Sequence, residues 1–123
     1  MRDEGVYLEH ILECIARIQR YTAGGLELLR TDEMTHDAVM RNLQVLAESC
    51  MRMSSEIRER RREIDWKGIA GFRNVMVHDY LDLDLEKILE IIQVELPPLA
   101  VPIGEELACV DAGLREQGPE GSA

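Results

Sequence analysis

Four side chains with proton-transfer or anion-binding chemistry stand close together: Arg73, Asn74, His78 and Tyr80, within Gly71-Phe72-Arg73-Asn74-Val75-Met76-Val77-His78-Asp79-Tyr80. Arginine offers a planar, permanently charged fork that matches a phosphate, where lysine offers only a point charge. Histidine, with an ordinary pKa of about 6.5, both takes and gives a proton near neutrality. Such a pair suffices for metal-free transesterification of RNA. His78 would take the proton from a ribose 2′-hydroxyl or protonate the leaving 5′-oxygen, while Arg73 stabilises the extra negative charge of a phosphorane-like transition state. Asn74 would orient His78 or hydrogen-bond the phosphate. The chain shows no HExxH motif, no metal-ligand cluster, no phosphate-cradling glycine loop and no nucleophile elbow. Metal hydrolysis, nucleotide hydrolysis and esterase chemistry therefore gain no support, and neither a metal nor a cofactor is expected.

Helical geometry limits how these groups cooperate. At about 100° per residue, Asn74 and His78 share a face and Arg73 and Tyr80 nearly eclipse, but Arg73 and His78 diverge by about 140°. Convergence on one phosphate requires that the helix end near His78, or that a two-fold partner bring a second copy alongside. A homodimer in which the third helices face each other is expected. Spacing alone leaves a blander reading open. A histidine near a helix C-terminus suits the dipole, an Arg-Asn pair ties a loop to a helix end, and Tyr80 packs with a wet hydroxyl.

The elements that must position these residues are helical. Leu8, Ile11, Leu12, Ile15 and Ile18 recur at three- and four-residue steps, predicting a long amphipathic helix from Val6 to about Leu29, disturbed at Gly24-Gly25. A second helix is predicted from about His36 to Glu56, with Val39, Leu43, Leu46, Cys50 and Met53 on one stripe. Asp65 would cap a third, holding Trp66, Ile69, Ala70, Phe72, Val75 and Met76. Asp82 and Asp84 precede a fourth with Leu85, Ile88, Leu89, Ile92 and Leu96 inward. Pro97-Pro98 mark a break before a shorter helix to about Cys109. The expected fold is all-α, an up-and-down bundle of four to five helices, with residues 1–110 as a single domain and 111–123 as a disordered tail.

With 123 residues, 46% of them hydrophobic, the chain can bury a core without disulfides or metal. Cys14, Cys50 and Cys109 are far apart and expected to be reduced, the first two in the core. No apolar run reaches about 18 residues and Met1-Arg2-Asp3-Glu4 lacks a signal-peptide core, so a cytoplasmic protein without a membrane segment is expected. A net charge of −10 argues against broad adhesion to nucleic acid or anionic membrane. Residues 52–73 nevertheless carry seven basic and four acidic side chains, against two and eleven in 74–123. Arg58, Arg60, Arg61 and Arg62 head this island. They would either grip an RNA backbone or form a solvated helix connector, with Glu59 and Glu63 interspersed.

The Arg73-x4-His78 spacing, followed by Leu81-Asp82-Leu83-Asp84-Leu85-Glu86-Lys87-Ile88, resembles the RX4-6H signature of the HEPN superfamily and specifically the HepT-like toxin family. The similarity runs from about Val6 to about Glu106, and Arg73 to Tyr80 is its most specific element. Asp65 stands where the family's lead-in has proline. The resemblance implies a helical bundle, a homodimer that unites two signatures, and a metal-independent ribonuclease serving as the toxin of a toxin–antitoxin pair. It implies a minimal nucleotidyltransferase as antitoxin and Tyr80 as acceptor of AMP groups, which that partner transfers from ATP with Mg. An adduct beside Arg73 would occupy its fork and repel RNA phosphate. The alternative is a non-catalytic helical adaptor that docks a nucleotidyltransferase and binds nucleotide or RNA.

Overall fold

The computed structural model describes the backbone of residues 2–78 and 84–122 and the side chains of residues 4–76 and 84–113. Among the described residues the structure is helical without strands. Five longer helices, α1 (Arg2–Tyr21), α3 (Glu33–Met51), α5 (Trp66–His78), α6 (Leu85–Val94) and α7 (Leu96–Ser122), build the bundle, and α2 (Gly25–Thr31) and α4 (Ser55–Arg60) are short connecting helices. The expected all-α bundle is present.

The apolar repeat of α1 meets that of α3 to form the centre of the core. Leu8, Ile11, Cys14, Ile15 and Ile18 are buried against Val39, Met40, Leu43, Leu46 and Cys50. At the start of α1, Glu4 accepts a hydrogen bond from the Ser54 backbone N–H at 2.7 Å, and the Tyr7 hydroxyl accepts one from Arg52 at 3.4 Å. The beginning of α1 thus lies beside the end of α3, so the two run antiparallel. α7 packs on another side of α1 and α5 on α3, while α6 rests on α7, α2 and α1. Among the described residues no helix is long and apolar enough to cross a membrane.

Three boundaries differ from the sequence reading. The first predicted helix is two, α1 and α2, because Thr22 turns its hydroxyl back onto the Ile18 carbonyl at 2.8 Å and Gly25 adopts φ +83. The second ends at Met51 rather than near Glu56. There Ser54 caps α4, its hydroxyl accepting the Ile57 N–H at 3.3 Å, and Ile57 is buried. The third difference is the length of α7, which continues past Cys109 and through Asp111 to Ser122. Leu107 and Val110 extend its apolar spacing onto the core. Its paired prolines are tolerated because first-turn N–H groups have no intrahelical acceptor.

Gly25 occupies backbone space that a Cβ disfavours, and nothing lies within 4 Å of the Cβ position. Gly25→Ala is therefore expected to destabilise the bundle by about 1–2 kcal/mol through backbone strain alone. Urea unfolding followed by circular dichroism checks this, and an unchanged midpoint would contradict it.

Candidate functional site

α5 holds the signature. Asp65 caps it, one carboxylate oxygen accepting the Gly68 N–H at 3.0 Å while its carbonyl accepts the Ile69 N–H at 3.0 Å. A side-chain cap takes over the start that proline would otherwise pre-set. The Trp66 indole N–H donates to the Arg61 carbonyl at 3.1 Å, fixing the first turn against α4. Met76 is buried and Ile69 and Phe72 half-buried, so one face of α5 belongs to the core.

Arg73 is half-buried, and its Nε is sealed from solvent with no hydrogen-bond partner among the described residues. A guanidinium donor held this way is normally satisfied by a carbonyl, a carboxylate or a bound anion. Asn74 is exposed, together with Lys67, Gly71 and Val75. His78 is the last described residue of α5. The His78 side chain and the whole of Tyr80 lie outside the described residues. The structure thus places Arg73 and Asn74 on adjoining faces of one helix whose described part runs to His78.

The basic island is largely engaged. Arg58 donates to the Met51 carbonyl at 2.6 Å, at the end of α3, and its guanidinium lies 5.8 Å from the Trp66 ring centroid. Arg60 grips Glu106 with two donors, Nη2 at 2.7 Å and Nε at 3.3 Å. Arg61 adds its own Nε at 2.8 Å to the same carboxylate and holds Glu105 at 2.8 Å through Nη1. Arg62 is exposed and without such a bond among the described residues. Glu106 was missed as a site by sequence reasoning, yet a signal exists: Leu99, Ile103, Glu106 and Val110 step by four, three and four along α7, which puts the carboxylate on the inward stripe. Its side chain is 4% exposed.

The cysteines offer no nucleophile in the core. Burial pushes the Cys50 thiol up to about 12 and raises that of Cys14 as well, and Cys109 is exposed.

Residues 11–104, which include the whole stretch from Arg73 to His78, match the family model described as Ribonuclease HepT-like, and the chain belongs to that family. It is 33% identical over 108 residues to "Putative RNase TTE0752" of Caldanaerobacter subterraneus subsp. tengcongensis, covering 87% of this chain and 96% of that one. It is 32% identical over 99 residues to "Gamma-glutamylcyclotransferase and putative RNase MJ0434" of Methanocaldococcus jannaschii, covering 80% of this chain but 45% of that longer protein. The "mRNA nuclease HepT" of Shewanella oneidensis is 26% identical over 107 residues, covering 68% of this chain and 80% of that one. No solved structure matches.

The Arg60 hydrogen bond is the largest influence on Glu106, opposed by burial and reinforced by Arg61, and the carboxyl is held below its ordinary value. Because the folded-state value is lowered, the contribution is present above the unfolded carboxyl pKa of about 4.3 and is lost as pH falls through the folded one. Glu106→Gln is expected to cost about 2 kcal/mol at pH 7. It should also flatten the loss of stability between about pH 5 and pH 2. Urea midpoints measured across that range test both statements, and parallel pH profiles for the two proteins would refute the second.

Proposed function

We propose that the chain is a metal-independent endoribonuclease and the toxin of a toxin–antitoxin pair, with Arg73 and His78 as catalytic residues and Asn74 in support. The observation that carries this is membership of the HepT-like ribonuclease family over a span containing Arg73, Asn74 and His78. The Arg73 Nε donor at the core-facing edge of α5, without a hydrogen-bond partner among the described residues, supports it further.

In this reading the His78 imidazole takes the proton of a ribose 2′-hydroxyl. The freed oxygen attacks the adjacent phosphorus, and the bond to the 5′-oxygen breaks. That oxygen leaves with a proton delivered by an imidazolium, either the same His78 or its copy in a dimer. The products are a 2′,3′-cyclic phosphate and a 5′-hydroxyl end. Arg73 places its fork on the nonbridging oxygens, where charge accumulates. Homodimerisation through α5 brings two signatures into one cleft. Gly71, with open space where a Cβ would stand, and the 42% exposed Val75 leave that face free for a second copy. A partner nucleotidyltransferase, using ATP and Mg, transfers AMP to the Tyr80 hydroxyl with release of pyrophosphate, and the adduct blocks Arg73. The reaction takes place in the cytoplasm and needs no cofactor of the chain's own.

One observation favours a second reading, a non-catalytic adaptor that docks a nucleotidyltransferase. Arg58, Arg60 and Arg61 are committed to bonds within the bundle, which leaves Arg62 as the member of the group assigned to RNA binding that has no such bond among the described residues.

Incubation of the purified protein with RNA in EDTA separates the two. Fragments ending in 2′,3′-cyclic phosphate are expected, and intact RNA would instead support the adaptor. His78→Ala should lower cleavage by at least about 10²-fold with unchanged helicity, and full activity in that variant would refute the assignment. Tyr80→Phe should still cleave RNA but escape inhibition by the partner with ATP. Mass spectrometry finding no AMP on Tyr80 of the unsubstituted protein would end that part of the proposal.

A further inference from the structure

α5 and α6 follow one another in sequence, yet among the described residues they make little contact with each other: α5 leans on α3, and α6 on α7, α2 and α1. Between them lies an open groove of about 390 Å³, floored by Leu43 and Leu46 of α3 and by Leu96 and Leu99 of α7. Phe72 and Ile91 form its walls, both half-buried, and Val94 at the edge is 59% exposed. Apolar surface left open to water is worth about 25 cal/mol per Å² to whatever covers it.

The charge around the groove selects its occupant. Glu63, Asp65, Glu90 and Glu95 line it with Lys87. Glu63 is held by Arg61 at 3.4 Å, Asp65 caps α5 and Lys87 sits 3.5 Å from Glu90, which leaves the acids in excess and Glu95 without an ion-pair partner among the described residues. An RNA backbone meets repulsion here, because its own charges have the same sign. A second copy docked across a two-fold axis would set like carboxylates against one another. A small apolar ligand would fill the floor and leave the excess negative charge at Glu90 and Glu95 without a counter-charge. The feature that satisfies both floor and rim is an amphipathic peptide segment with apolar residues at helical spacing and Lys or Arg beside them.

We propose that the groove between α5 and α6 is a docking site for a basic amphipathic segment of another protein. The assignment rests on the groove itself and stands apart from the RNA-cleavage reading, since Glu90, Glu95 and Val94 lie outside the signature. Its occupant would press on the Phe72 side of the helix that carries Arg73.

The test uses the full-length chain and two synthetic helical peptides of about fourteen residues, roughly four turns, one built of Leu and Lys and the other of Leu and Glu at the same positions. Methyl NMR is expected to show the Leu/Lys peptide shifting Ile69, Ile91, Val94 and Leu99, with the Leu/Glu peptide at least about tenfold weaker. Glu90→Lys combined with Glu95→Lys should lower the Leu/Lys affinity at least about tenfold. The same reversal at the exposed Glu9 and Glu13 of α1 should leave it within about twofold, which separates docking from general attraction to an acidic chain. RNA cleavage by both double variants should be unchanged, so failure of the docking site and failure of the nuclease reading give different results. Shifts scattered over the surface, equal binding of the two peptides, or equal loss in both double variants would overturn the proposal. So would displacement of a self-associated form by Glu90→Lys with Glu95→Lys in sedimentation, which would name a second copy as occupant.

Discussion

A single carboxylate inside an apolar helix face governs how the middle of this chain is placed. Glu106 on α7 would be unfavourable there alone, because a desolvated charge needs charged donors, and Arg60 and Arg61 supply them. Those two residues end α4, so the ion pair fixes α4 against α7. Arg61 then accepts the Trp66 indole N–H through its carbonyl, and Trp66 opens α5. The helix that carries Arg73, Asn74 and His78 is therefore registered by a contact made at its opposite end.

The same arrangement changes the meaning of the basic stretch. In the sequence it is a run of arginines amid acids, open equally to an RNA grip and to a solvated connector. In the bundle it is a set of staples: Arg58 onto the end of α3 and the Trp66 ring, Arg60 and Arg61 onto α7. Charge counted along a sequence overstates what reaches solvent when the acids that neutralise it come from a distant helix.

What was legible in the sequence was whatever local spacing controls. The stripes of α1 and α3 were readable because leucine and isoleucine recur at three and four residues, and the caps at Asp65 and Asp84 because an acid precedes an apolar helix. The split at Gly25 was readable as a disturbance, but not as a left-handed turn closed by Thr22. α4 was hidden because six residues hold too little periodicity, and only tertiary burial of Ile57 reveals its inward side. Glu106 and its arginines were missed because their partnership spans 45 or 46 residues, which no local pattern encodes. The signature at Arg73 and His78 was visible by residue type, while its convergence depends on more than one helix can provide. The groove beside it escaped notice for a related reason: among the described residues two successive helices pack mainly on other elements rather than on each other, and a sparse contact leaves no mark on hydrophobic spacing.

The three thiols divide sharply by environment. Two are sealed against water in the α1 and α3 core, while Cys109 stands on the surface of α7, less than one turn beyond Glu106. A maleimide fluorophore would accordingly attach at one place without any engineering of the chain, and its emission would report directly on whether α4 is seated or released.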